Sequence, residues 1–118
     1  SSELIKITLK ELKRIGAPSF LTVLKRFGKI NPAPLSFPKP GWTLAADIRS
    51  DIKGLNELLN NLDEELVKNG GRIYLTKDSR QSSRTFYESY EKISDFIVDS
   101  GLLNKDHKFS SDQKNRLF

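Results

Sequence analysis

The sequence predicts an α+β fold, and three observations carry that reading. The chain has 118 residues, a length that suits one compact domain of roughly 100–150 residues. Two β-rich stretches follow one another across a proline-rich loop. Segments with helical apolar spacing flank that pair and follow a third β-rich stretch, so paired strands and helices are combined in one unit.

The elements follow in order. Residues 3–15 carry Ile5, Leu9 and Leu12 at helical spacing, but Ile5, Ile7 and Leu9 also alternate as in a strand. The basic cluster Lys10, Lys13 and Arg14 followed by Gly16 suits a helix end, and a helix is expected. Residues 19–27 form a strand with Phe20, Thr22, Leu24 and Arg26 on one side and Leu21, Val23, Lys25 and Phe27 on the other. Apolar residues on both sides suggest a strand covered on both faces. Residues 28–41 hold four of the five prolines, so an ordered loop is expected there, pinned by Leu35 and Phe37. The strand 42–48 sends Trp42, Leu44 and Ala46 one way and Thr43, Ala45 and Asp47 the other. Residues 54–69 give the clearest helix, with Leu55, Leu58, Leu59, Leu62 and Leu66 in one stripe and Gly70 or Gly71 as its stop. A third strand is expected over 72–77 and a helix over 83–98. The tail after Gly101 is polar and reads as irregular. The order α-β-β-α-β-α is that of a ferredoxin-like split βαβ arrangement lacking its first strand, with an antiparallel sheet and helices on one face.

Composition excludes several chemistries. The chain has no Cys and one His, which removes disulfides, thiol nucleophiles and Cys- or multi-His metal sites, so no metal is expected. Net charge is +5, and residues 1–40 hold eight Lys/Arg against two Asp/Glu. Such a basic segment attracts nucleic acid, anionic lipid or phosphorylated substrates, or is simply a solvated face. No apolar run approaches a membrane span, and no leader pattern opens the sequence. The expected location is the cytoplasm or the periphery of a membrane.

Few residues offer themselves for chemistry. Gly70-Gly71 follows a helix and precedes a β-rich stretch, the reverse of a phosphate loop. Asp63-Glu64-Glu65 reads as a solvated helix face, and His107 as a surface residue. Lys25 and Lys77 each sit near the end of a β-rich stretch among apolar neighbours. They either converge on an anion or an electron-rich ring, or snorkel to solvent. Aromatic and basic residues interleave at Arg72/Tyr74 and Lys25/Arg26/Phe27, which leaves a nucleic-acid-binding or protein-interaction module as the alternative.

Three blocks carry a resemblance. They are Ser19-Phe20-Leu21 through Lys25-x-Phe27-Gly28, then Ala33-Pro34-Leu35-Ser36-Phe37-Pro38-x-Pro40-Gly41-Trp42, then Gly70-Gly71-Arg72-Ile73-Tyr74-Leu75-Thr76-Lys77-Asp78-Ser79-Arg80. Ser111-Asp112 and Arg116-Leu117 fit as well. Over residues 2–117 the sequence resembles the C-terminal part of FAD-linked oxidoreductases of the vanillyl-alcohol-oxidase type, among them sugar, sugar-lipid and aldonolactone oxidases. The resemblance implies that 1–118 is one substrate (cap) domain of a larger flavoprotein. FAD would be held mainly by an N-terminal domain outside this chain, and the isolated piece would be inactive. It implies that Lys77 reaches the flavin ring, where positive charge favours the reduced, anionic state, and that Tyr74 also contacts FAD. Lys25 then stands beside the reacting hydroxyl, on the same strand face as Phe27, with Thr43 and Ala45 lining the pocket. A well-known member carries Asn and Cys at these last two positions. The implied partners are the FAD domain of the same parent chain and a sugar or sugar-lipid substrate. Nucleic acid is not expected, and peripheral membrane contact is compatible with the parent.

Overall fold

The computed structural model describes residues 2–106 and 108–118; the surface reading of His107 lies outside the described residues. The elements are α1 (Ser2–Arg14), β1 (Ser19–Phe27), β2 (Gly41–Ile48), α2 (Leu55–Lys68), a 3-10 turn (Leu75–Lys77), α3 (Ser83–Ser89), α4 (Ile93–Leu103) and α5 (Asp112–Leu117). The fold is α+β, with an antiparallel pair of strands and five α-helices among the described residues.

The ambiguous first segment is a helix because two positions eight apart, Leu4 and Leu12, are buried on one side. Leu12 packs with Ala17 and Leu55, and Ile15, Ile48, Ile52, Leu58 and Leu59 close round them. A second core gathers Phe86, Tyr90, Ile93 and Leu117, with Leu35, Leu75 and Phe96 against it. Leu35 reaches this core from the proline-rich loop, so the loop is pinned as expected. Further ties hold it: Arg72 Nη1 donates to the Ser36 carbonyl at 2.7 Å, and Lys92 Nζ to the Pro32 carbonyl at 3.1 Å.

Strands β1 and β2 form an antiparallel ribbon, with Val23 opposite Ala45, Lys25 opposite Thr43 and Phe27 opposite Gly41. The ribbon joins the first core through Ile48. Its own faces are open: Phe20 is 85% exposed, and Leu21, Leu24 and Trp42 are exposed too. The expectation of a strand covered on both sides therefore fails within this chain. The ribbon also lengthens the molecule, whose radius of gyration is 15.5 Å where about 13–14 Å is usual for this length.

Four further expectations are corrected. The third strand over 72–77 does not form: Tyr74 keeps extended angles, but Leu75–Lys77 close into a 3-10 turn. Tyr90 explains part of this, because its hydroxyl donates to the Ile73 carbonyl at 2.6 Å and draws that backbone toward the helices instead of a sheet edge. The single helix over 83–98 is two, broken at Tyr90, whose backbone leaves the helical region at φ −108°, ψ 88°. The tail is not irregular, because Ser111 caps α5 by accepting from Lys114 N at 3.1 Å, and Leu117 is buried. Asp63 leaves the solvated acidic run and is buried against Arg80.

Candidate functional site

Directly opposed residues of an antiparallel pair project to the same face. The register therefore puts Val23, Lys25 and Phe27 of β1 with Thr43 and Ala45 of β2 on one side of the ribbon. The alternation read from the sequence holds from Thr22 to Phe27 and from Gly41 to Ala46, while the register shifts between Ser19 and Thr22. The other side carries the Arg26 guanidinium, 5.8 Å from the Trp42 ring centroid.

The proline-rich loop connects the first of these faces to Tyr74. Phe27 meets Phe37 edge-on at a centroid distance of 5.8 Å, and Phe37 meets Tyr74 at 5.0 Å. Edge and tilted pairings of this kind are the favoured aromatic arrangements. Tyr74 remains 45% exposed. Thus Lys25, Phe27, Thr43 and Ala45 share a face, and Tyr74 joins it through one intervening ring.

Lys77 stands elsewhere than the strand reading put it. It ends the 3-10 turn and is exposed, so alternation with Ile73 and Leu75 does not set its direction. Its backbone N–H donates to the Tyr74 carbonyl at 3.2 Å, so the two residues sit on one turn. Among the described residues neither Lys25 nor Lys77 forms an ion pair.

The turn is buttressed by residues to which the sequence assigns no role, although Asp78, Arg80 and Arg116 lie in the stretches that carry the resemblance. Asp78 Oδ1 accepts from the backbone N–H of Arg80 at 3.0 Å and of Gln81 at 2.8 Å, an Asx turn. Arg116 donates to Asp78 Oδ2 and to the Gln81 carbonyl, and Gln113 donates to the Leu75 carbonyl. Arg80 reaches back to α2, donating to Asp63 Oδ2 at 2.6 Å and Asn60 Oδ1 at 2.8 Å. Burial pushes the Asp78 carboxyl up, but the N–H groups of Gln81 and Arg80 and the Arg116 guanidinium outweigh it and hold it below its usual range. Burial dominates at Asp63, which is raised in spite of Arg80. Burial likewise pushes the Tyr90 phenol up to about 12. The signal that could have exposed this support is Asp-x-Arg-Gln at 78–81, where an Asp can accept from the backbone N–H groups two and three residues on.

From the sequence, Phe37 is only a loop anchor. Its position between Phe27 and Tyr74 depends on how the loop folds back, which spacing does not encode.

No family model matches the sequence. The chain is 41% identical over 116 residues, 98% of its length, to the decaprenylphosphoryl-beta-D-ribose oxidase of Mycolicibacterium smegmatis. It is 38% identical over 95 residues, 80% of its length, to an uncharacterized protein of Streptomyces coelicolor from the mprA 5' region. The chain spans 25% and 26% of these two proteins, about a quarter of each. Over nearly all of its length, this chain is similar to a quarter of a decaprenylphosphoryl-beta-D-ribose oxidase.

Proposed function

We propose that this chain is the C-terminal, substrate-side part of a longer FAD-dependent oxidoreductase that oxidises a hydroxyl of a sugar, sugar-lipid or aldonolactone. The observation that carries the reading is the shared face of Lys25, Phe27, Thr43 and Ala45, joined through Phe37 to Tyr74 on the Lys77 turn. Similarity to part of a named oxidase supports it.

The residues fit a flavin. Tyr74 offers an exposed ring braced from behind by Phe37, and Lys77 supplies a cation on the same turn with no acidic partner among the described residues. An unpaired ammonium beside a site where negative charge develops stabilises that charge. When bound, FAD supplies the two-electron oxidation of the substrate carbinol. Lys25, on the ribbon face with Thr43, donates to substrate oxygens and orients the hydroxyl, while Phe27 and Ala45 offer an apolar wall. The FAD domain of the same polypeptide is the partner. The open ribbon and the exposed residues Val98, Leu102 and Leu103 of α4 are surfaces for it to cover.

The test uses the longer protein. Lys77→Ala should lower kcat by about 100-fold or more, as loss of a charge-stabilising group does, with Lys77→Arg recovering part of it. Lys25→Met should raise KM and lower kcat together. A Lys77→Ala enzyme turning over at the parent rate would sink the assignment. The isolated chain should not retain FAD at micromolar concentration when titrated and followed by flavin fluorescence.

A further inference from the structure

Helix α5 holds the Lys77 turn from both ends. Gln113 Nε2 donates to the carbonyl of Leu75, the turn's first residue, at 2.6 Å. Arg116 Nη2 donates to the carboxylate of Asp78, the residue after the turn, at 2.8 Å. Its Nη1 donates to the Gln81 carbonyl, and the Ser83 hydroxyl donates to the Leu117 carbonyl at 2.7 Å. Leu117 anchors the helix in the second core.

The turn does little to hold itself. Its own bonds, Lys77 N–H to the Tyr74 carbonyl and Asp78 N–H to the Leu75 carbonyl, are both 3.2 Å. A single 3-10 turn has poor hydrogen-bond geometry and little cooperative support. Lys77 is exposed, so packing of its own side chain does not fix it, and Tyr74, 45% exposed, has the Phe37 ring against it. Leu75 packs on the second core, and the Tyr90 hydroxyl holds the Ile73 carbonyl ahead of the turn. At the turn itself and just after it, the short bond from Gln113 and the charge-assisted bond from Arg116 are stronger than the turn's own bonds.

We infer that α5 is a positioning element, in which Gln113 and Arg116 set where Tyr74 and Lys77 stand. The inference rests on the placement of Lys77 at the flavin proposed above. Displacing a catalytic group by about 1 Å can cost roughly 100-fold in rate, so a helix that touches neither substrate nor cofactor sets the rate through the turn.

The experiment compares Gln113→Met, Arg116→Ala and Lys77→Ala, with the double variant Gln113→Met/Lys77→Ala, in the longer flavoprotein. It reads the midpoint potential of the bound flavin, kcat and KM, and amide hydrogen exchange at Lys77 and Asp78. Gln113→Met keeps the side-chain volume and removes the donor, and Gln113 is only half-buried, so this variant carries the test if Arg116→Ala fails to fold. Gln113→Met is expected to lower kcat about 5–10-fold with KM moved less than about twofold. It should shift the potential in the same direction as Lys77→Ala and speed exchange at the two amides. On the Lys77→Ala background it should add no further loss, because residues acting through one group are not additive. A double variant losing the product of the two single effects, or unchanged exchange in Gln113→Met, overturns the inference alone. A Lys77→Ala enzyme with the parent's potential and kcat overturns the flavin placement, and the inference with it.

Discussion

Asp78 and Arg116 meet at 2.8 Å across 38 positions of sequence, and only 3% of the Asp78 side chain is exposed. An enclosed carboxylate is tolerable when both of its oxygens find donors. Here two backbone N–H groups and a guanidinium provide them. The pair therefore joins the Lys77 turn to α5 with its desolvation already offset.

Breaking that pair should be costly. Asp78→Asn keeps the shape and removes the charge, leaving the Arg116 guanidinium, 28% exposed, without its counter-ion. Removing one partner of a buried pair typically costs about 3–5 kcal/mol, and partial exposure of Arg116 lowers the expectation to about 2–4 kcal/mol. Urea denaturation at neutral pH measures this. A loss below about 1 kcal/mol would show that the network is not a stability element.

The same carboxylate shapes the acid response. Its folded-state pKa lies below the ordinary value of 3.8. A carboxyl held low contributes stability that is present above the unfolded value and is lost as pH falls through the folded one. Asp63 acts in the opposite sense, because burial raises it, so its protonation on acidification favours the fold. The Asp78 contribution to the urea midpoint should therefore be lost below about pH 4, and Asp78→Asn should show a flatter acid limb than the unsubstituted protein. Parallel limbs in the two proteins would exclude Asp78 as the cause.

How far the sequence disclosed this arrangement depends on which forces set each part. Strand parity in the ribbon was legible, because alternation is local and Lys25/Thr43 and Val23/Ala45 pair as their parity requires. The Leu55–Leu66 stripe was legible for the same reason. The Lys77 turn was not: Ile73 and Leu75 alternate like a strand, but distant groups decide that backbone, namely the Tyr90 hydroxyl and Gln113. Asp63 looks solvated in the sequence because its partner, Arg80, lies 17 positions away. Helix α5 had a local signal in Ser111 as its cap, masked by the polar composition around it.

The stop of α2 makes a separate prediction for each of its two glycines. Gly70 has φ +72°, the left-handed conformation that side chains resist, so Gly70→Ala should cost about 1 kcal/mol. Gly71 is limited by space instead: a Cβ there would lie 2.3 Å from Leu66 Cδ1 and 3.0 Å from the Leu66 carbonyl oxygen. The Leu66 side chain can rotate away but its backbone cannot, so Gly71→Ala should cost about 1–3 kcal/mol. Thermal or urea denaturation of the two variants checks the ordering. Equal, negligible losses would mean that the chain leaves α2 by another path.

Phe37 is the one ring touching both Phe27 and Tyr74 among the described aromatic pairs. Phe27 lies on the Lys25 face and Tyr74 on the Lys77 turn, so Phe37 couples the two halves of the candidate site. Phe37→Leu preserves an apolar side chain but loses both ring pairings, each worth about 0.5–1.5 kcal/mol, so the expected loss of stability is about 1–3 kcal/mol. The sharper measurement is a double-mutant cycle with Phe27→Leu and Tyr74→Leu. With Phe37 in place the coupling should reach about 0.5 kcal/mol or more, and on the Phe37→Leu background it should fall within about 0.3 kcal/mol of zero. A coupling that survives the substitution would mean that ribbon and turn communicate by another route. Phe37 would then be only an anchor for the loop.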